Sequence, residues 1–308
     1  MRIAFAGTPE VAVPTLDALV GAGHDVAVVL TREDAPQGRK RVMTPSAVAA
    51  KAEALGIPVV RANQIDDAVA AAVLDHNIEL GVVVAYGGII RPPLLDEPAH
   101  GWINLHFSQL PRWRGAAPVQ QAIIAGDRDS GVAVFQLEAG LDTGPTYVNR
   151  AVPIGAHETA GELLERLAVD GAADVVDVVA DLERGTAIAT PQSGEVTHAG
   201  KLHAKLGRID WTIHAQRIDE LVRGVTPEPG ASTMLNGERF KVLRGRPSSD
   251  DRPATADHEA GAVALEGGEV RVQTLRGGYV LETVQPAGKR AMSASDWFRG
   301  QRDRVVFE

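Results

Sequence analysis

The 308-residue sequence predicts an α/β unit with a doubly wound, mostly parallel sheet, followed by a smaller antiparallel β-barrel. Three observations carry that prediction. In the first half, short apolar runs alternate with helical stretches, as they do where strand and crossover helix repeat. One run, residues 80–86, is apolar without interruption, which suits a strand covered on both faces. From Ile209 the pattern changes to short strands broken by turns, among them Asn236-Gly237, a tight-hairpin pair.

The elements are expected in the following order. Residues 2–5 form the first strand, which ends in Gly7-Thr8-Pro9-Glu10. Thr8 is placed to cap a helix over 11–20, Pro9 suits its first position, and Glu10 complements its positive end. A strand over 26–31 is followed by a polar segment, 32–46, and a helix over 47–55 stopped by Gly56. A third strand begins at Val59-Val60, a helix covers 66–76, and the apolar strand 80–86 follows. Strands are then expected over 102–106 and 132–138, with a helix over 118–124 between them, and an extended return over 148–153. Thr159-Ala-Gly-Glu162 is a capping box that opens a long helix ending near Arg184-Gly185. In the second half an amphipathic helix over 214–223 precedes a hairpin of 232–235 with 238–243, and residues 247–260 read as a mobile loop. This organisation predicts a Rossmann-like unit over 1–187, a linker over 188–205 and a barrel of oligonucleotide-binding type over 206–308.

Composition narrows the function. Apolar residues at 44% and charged residues at 23% are ordinary for a globular protein and exclude disorder. The absence of cysteine excludes disulfides, thiolate zinc sites and a cysteine nucleophile. No apolar run approaches the ~20 residues of a membrane span, and the first strand is too short for a signal sequence, so a cytoplasmic protein is expected. The net charge of −9 is concentrated in residues 1–187, with 14 basic and 24 acidic side chains. Such acidity disfavours indiscriminate coating of nucleic acid, yet leaves room for local basic patches such as Arg39-Lys40-Arg41.

Three segments are candidates for chemistry. Gly7-Thr8-Pro9 lacks the GxGxxG spacing of a dinucleotide site, so no NAD is expected. On a strand, Asn104 and His106 project to one face, where amide and imidazole can both serve an oxygen that carries developing charge. In isolation a buried histidine satisfied by backbone is the better reading of the pair. Glu138-Ala139-Gly140-Leu141-Asp142-Thr143-Gly144 brackets a carboxylate between glycines just past a strand, although an Asp-x-Gly turn has the same appearance.

Taken together, these segments are more specific. Asn104-Leu-His106-Phe-Ser-Gln-Leu-Pro111-Arg-Trp-Arg114-Gly115-Ala-Ala-Pro118, followed by Gly140-Leu-Asp142-Thr-Gly144, closely resembles the 10-formyltetrahydrofolate-dependent formyltransferases. The likeness extends through Phe5-Ala-Gly7-Thr-Pro9-Glu, Val84-Ala-Tyr86-Gly87, Arg208-Ile-Asp210-Trp211 and Pro286-Ala-Gly288-Lys289, and so covers nearly the whole chain. One departure is Gln109, where the family usually has leucine; it is expected to be a packing position.

The resemblance implies attack of an amine on the formyl carbon carried by N10 of the folate co-substrate, with no metal. Asn104 and His106 would supply oxyanion donors, with a cationic imidazole as the stronger one, and Asp142 would act as acid/base while favouring that cation. It also implies a folate slot formed by Tyr86, Gly87, Gly88, Ile89, Ile90, Ser108, Leu110, Pro111, Glu138, Ala139, Gly140 and Leu141. The accessory segments point to a methionyl-initiator tRNA as acceptor, held by a monomeric enzyme without membrane contact. Candidate tRNA contacts are Arg39, Lys40 and Arg41 in the basic loop, Lys201 and Lys205 in the linker, and Arg239, Lys241, Arg244, Lys289 and Arg290 in the barrel. The alternatives are a small-molecule acceptor (glycinamide ribonucleotide or an amino sugar) and a non-catalytic nucleotide binder fused to an RNA-binding barrel.

Overall fold

In the computed structural model, which describes residues 1–38, 40–249 and 259–308, the first sheet begins with β1 (Arg2–Gly7), β2 (Asp25–Thr31) and the intervening helix α1 (Val13–Gly21). The expected helix over 11–20 starts later than its composition suggests. Glu10–Ala12 form a single 3-10 turn with no side-chain cap, and α1 follows with a proline in its first turn. Thr8 is engaged elsewhere: its hydroxyl donates to Tyr86 O at 2.8 Å and accepts from Arg32 N at 3.4 Å.

The polar segment 32–46 holds a small hairpin that has no counterpart among the expected elements, β3 (Ala35–Gln37) paired antiparallel with β4 (Val42–Thr44). Helix α2 (Ala47–Ala54) is capped by Ser46, whose Oγ accepts from Ala49 N at 3.0 Å and lies 2.6 Å from Thr31 Oγ1 at the end of β2. β5 (Val59–Arg61) and α3 (Asp67–Leu74), capped by Asp66, lead to β6 (Leu80–Val84). The apolar run 80–86 stops being strand at Ala85, whose φ is +48°. β7 (Trp102–His106), β8 (Arg114–Gly115), α4 (Pro118–Ala125), β9 (Asp129–Gln136) and β10 (Thr146–Pro153) follow. The capping box closes as expected: Glu162 N donates to Thr159 Oγ1 at 3.3 Å and Thr159 N to Glu162 Oε2 at 2.9 Å, which opens α5 (Ala160–Arg184).

The main sheet has the order β10-β9-β7-β6-β1-β2-β5. The pairings from β7 through β6, β1 and β2 to β5 are parallel, and β9 runs antiparallel to β7. This is the predicted doubly wound, mostly parallel arrangement, with the central strands buried.

Beyond β11 (His198–Ala199), helix α6 (Ala215–Gly224) precedes a curled antiparallel half-barrel. Its strands are β12 (Ala231–Leu235), β13 (Glu238–Pro247), β14 (Ala262–Glu266), β15 (Glu269–Gln273), β16 (Gly278–Gln285), β17 (Met292–Ser293) and, after α7 (Ala294–Arg299), β18 (Val305–Val306). Asn236 and Gly237 both take positive φ between β12 and β13, as a two-residue hairpin requires. The path β12-β13-β16-β15-β14-β18 curls until Glu308 N donates to Met234 O at 3.1 Å, back at β12. Inside, Trp211 and Trp297 stack on Phe307 with ring centroids 5.6 and 5.8 Å away, and Phe240 and Tyr279 fill the remaining core.

The chain separates into two units, 1–118 with 130–152 and 164–199, and 119–129 with 153–163 and 200–308. Residues expected as a free linker are in part tied down: Thr190 and Thr146 exchange backbone hydrogen bonds of 2.8 and 2.9 Å, and β11 pairs with β8. The expected loop over 247–260 falls largely outside the described residues. Among those described, no helix is long and apolar enough to cross a membrane.

Candidate active site

Asn104 and His106 lie two residues apart on β7, the first half-buried and the second buried. Among the described residues the Asn104 carboxamide has no protein hydrogen-bond partner, so its donors are available to a ligand. His106 packs edge-on against Phe135, with ring centroids 6.3 Å apart. Its Nε2 is 2.9 Å from Trp113 O. A carbonyl oxygen only accepts, so Nε2 carries the proton and donates.

The other imidazole nitrogen, Nδ1, faces Asp142 Oδ2 at 3.9 Å. That separation exceeds a hydrogen bond. Burial pushes the His106 pKa below its ordinary value, against the upward pull of the Asp142 carboxylate and the Trp113 carbonyl. Desolvation thus outweighs the pull of the neighbouring carboxylate. With Nε2 as the donor, a neutral imidazole presents its Nδ1 lone pair toward Asp142.

Asp142 is buried and sits at φ +50°, in the left-handed region. Its Oδ2 accepts from Gly115 N at 2.7 Å. The loop that carries Asp142 does not leave from the carboxyl edge of the parallel strands, because β9 is antiparallel to β7 and pairs Gln136 with Ile103. The loop thus leaves beside the start of β7, where Leu137 N donates to Trp102 O, and Asp142 nonetheless reaches the histidine at the end of β7.

Two further side chains, neither singled out from the sequence, complete this arrangement. Gln192 Nε2 donates to Asp142 O at 2.9 Å and to Gly144 O at 2.8 Å, while its Oε1 accepts from Arg114 Nη2 at 2.7 Å. Thr197 Oγ1 accepts from Trp113 N at 2.9 Å. The segment that contributes both residues has a Pro/Gly-containing, polar composition, which hid them.

The proposed folate residues divide into two groups. Tyr86 is buried with its hydroxyl donating to Ala62 O, Ser108 Oγ donates to Arg112 O, and Leu110 and Pro111 are buried, so these side chains hold their own loops. Leu110 is further fixed by Asn149, which donates to its carbonyl at 2.7 Å and accepts from its amide at 3.0 Å. Gly87, Ile89, Glu138, Ala139, Gly140 and Leu141 are exposed or half-buried, Gly88 is half-buried and Ile90 is buried. Ile89 and Leu141, at 67% and 62% exposure, are apolar surfaces open to a ligand. Gln109, expected as a packing position, is exposed.

Of the proposed tRNA contacts, Arg39 lies outside the described residues. Lys40, Arg41, Lys201, Lys205, Arg239, Lys289 and Arg290 are exposed and Lys241 is half-buried. Arg244 is paired with Glu162, and Arg239 donates to Ser232 Oγ at 3.1 Å.

Comparison with known proteins places the chain in a family. Residues 1–179 match the formyl transferase family and residues 201–302 match the formyl transferase C-terminal domain. The chain is 52% identical over 306 residues to methionyl-tRNA formyltransferase of Clavibacter sepedonicus, covering 99% of each chain. It is 50% identical over 310 residues to that of Paenarthrobacter aurescens, covering 100% of both. Among solved structures, it resembles a sugar 3N-formyl transferase solved in the presence of dTDP and 5-N-formyl-THF, with a TM-score of 0.66 and 16% identity over 94% of this chain and 99% of that one. That last likeness concerns the fold. The chain belongs to the formyl transferase family, among its methionyl-tRNA formyltransferase members.

Proposed function

We propose that this chain transfers a formyl group from 10-formyltetrahydrofolate to the α-amino group of methionyl-initiator tRNA for translation initiation. It would act as a monomer in the cytoplasm, where translation begins. The observation that carries this reading is full-length identity of 52% to a protein of that activity, in a chain that aligns His106 Nδ1 and Asp142 Oδ2 across 3.9 Å.

The residues divide the chemistry as follows. The Asn104 carboxamide donates to the formyl oxygen as it becomes an oxyanion; losing one such donor typically costs about 10² to 10³ in kcat. The His106–Asp142 pair takes the proton released when the amine nitrogen bonds to the formyl carbon. His106 becomes cationic at that moment, beside the developing oxyanion, and stabilises charge only as it appears. The pair then returns the proton to N10 as the carbon–N10 bond breaks. The Gly115 amide holds the Asp142 carboxyl group aimed throughout.

Exposed Ile89 and Leu141, with backbone of residues 86–90 and 138–141, offer apolar and hydrogen-bonding surface suited to a flat pterin. The basic residues from Lys40 to Arg290 position the acceptor through its phosphates. Formylation assayed with charged methionyl-initiator tRNA, charged elongator tRNA, glycinamide ribonucleotide and an amino-sugar nucleotide tests the reading. Turnover confined to the first acceptor is expected; turnover only of a small amine would overturn it.

A further inference from the structure

We infer that Gln192 is a positioning residue for Asp142, with its own orientation set by Arg114. The inference rests on the reading of Asp142 as acid/base and assigns a role to a side chain about fifty residues downstream of it.

Gln192 uses both ends of its amide. Its Nε2 donates to Asp142 O at 2.9 Å and to Gly144 O at 2.8 Å, which spends both hydrogens. Its Oε1 accepts from Arg114 Nε at 3.2 Å and Nη2 at 2.7 Å. A flipped amide would set oxygen against two carbonyl oxygens and NH2 against a guanidinium, so one orientation alone satisfies the site. Arg114 directly precedes Gly115, whose amide holds the Asp142 carboxylate at 2.7 Å. The hydrogen bonds therefore close a ring: Gly115 to the Asp142 side chain, the Asp142 backbone to Gln192, and Gln192 to Arg114.

The ring has a mechanical purpose. Asp142 sits at φ +50°, a conformation that L side chains rarely adopt, in a loop that leaves the sheet at the other end of β7. A side chain so placed needs its backbone held from outside the loop. The segment that carries Gln192 is itself anchored: Thr190 pairs with Thr146, Arg114 N donates to Thr197 O at 2.9 Å, and Ala116 N donates to Ala199 O at 2.8 Å. Gln192 thus transmits a fixed frame to the carboxylate facing His106.

Three variants test this against Asp142→Asn as reference. Gln192→Glu keeps an acceptor for Arg114 but loses the donor to both carbonyls. Gln192→Met is near-isosteric and loses both functions. Arg114→Met leaves Gln192 present but unoriented. Each is expected to lower kcat by about 10- to 100-fold, the cost of an ångström-scale misplacement. KM for folate and for methionyl-tRNA should stay within about twofold of wild type, since nothing removed is read here as touching substrate. A thermal melt on each variant establishes that the fold persists, and Gln192→Glu carries the test should Gln192→Met fail to fold. Wild-type kcat in both Gln192 variants alongside an inactive Asp142→Asn would overturn the positioning role and leave the reading of Asp142 intact. So would an effect confined to KM. Wild-type kcat in Asp142→Asn would remove that reading and the positioning role with it.

Discussion

Gly115 and Asp142 are joined by a backbone amide donating to a buried carboxylate at 2.7 Å, and the donor has φ +124°. A Cβ on Gly115 would lie 2.5 Å from Ala199 O, a backbone atom of the strand it pairs with. Gly115→Ala should therefore displace this amide and cost about 1–3 kcal/mol of stability from the strained backbone. A thermal melt should show that destabilisation, and kcat should fall about 100-fold at nearly unchanged KM. Wild-type kcat in this variant would mean that the amide is dispensable.

The lowered pKa of His106 sets the expected pH dependence. Burial lowers its proton affinity, so protonation is expected only as pH falls below 6.5, its ordinary value. Protonation before turnover fills Nδ1 and removes the acceptor. The acid limb of kcat should thus lie below 6.5, with full activity above it. In Asp142→Asn the upward pull of the carboxylate is gone, and the His106 titration followed by NMR should move lower still. An acid limb centred above 6.5 would contradict this account.

Much of the fold was legible because its signals are local. The capping box at Thr159 and Glu162, the Asn236-Gly237 turn and the Trp102–His106 strand each depend on a few neighbouring residues. The hairpin of β3 and β4 was not legible, because three-residue strands, one of them containing Pro36, have no periodicity to read. In the site, Asn104, His106 and Asp142 announced themselves by type and spacing. Gln192 did not, since its partners lie about fifty and eighty residues upstream and its surroundings read as a linker. The direction of the His106 shift is not legible for a related reason: the carboxylate is visible in sequence, whereas the burial that opposes it is a property of the folded sheet.

The basic hairpin offers a test of acceptor binding. Lys40 and Arg41 are exposed, and Arg41 has φ +49°, so Arg41→Asn suits its backbone better than most substitutions. Lys40→Gln with Arg41→Asn should raise KM for the charged tRNA and flatten its salt dependence, by a log–log slope of up to about 1 for each phosphate no longer neutralised. Folate affinity should not change. A solvated loop predicts no effect at any ionic strength, and a change in folate affinity alone would contradict the assignment.

The two-unit organisation predicts where a protease enters. Thr190 and residues 197–199 are hydrogen-bonded within the first unit, whereas Lys201 and Lys205 are exposed just beyond the boundary at Ala199. Limited trypsin digestion should cut at Lys201 or Lys205. The fragments should nevertheless co-elute under native conditions, because residues 119–129 and 153–163 pack with residues 200–308, as in the hydrogen bond from Gly161 N to Thr226 O at 3.0 Å. Early cleavage inside residues 1–118 would count against this division.

The central claim, that His106 and Asp142 act as one unit in formyl transfer, is tested most directly by single-turnover formylation of methionyl-initiator tRNA in wild type, His106→Ala, Asp142→Ala and the double variant. Each single variant should slow by at least about 10²-fold, and the double should be little slower than the worse single, because the two residues share one proton and one transition state. Single variants near the wild-type rate, or effects that multiply in the double variant as independent sites do, would contradict it.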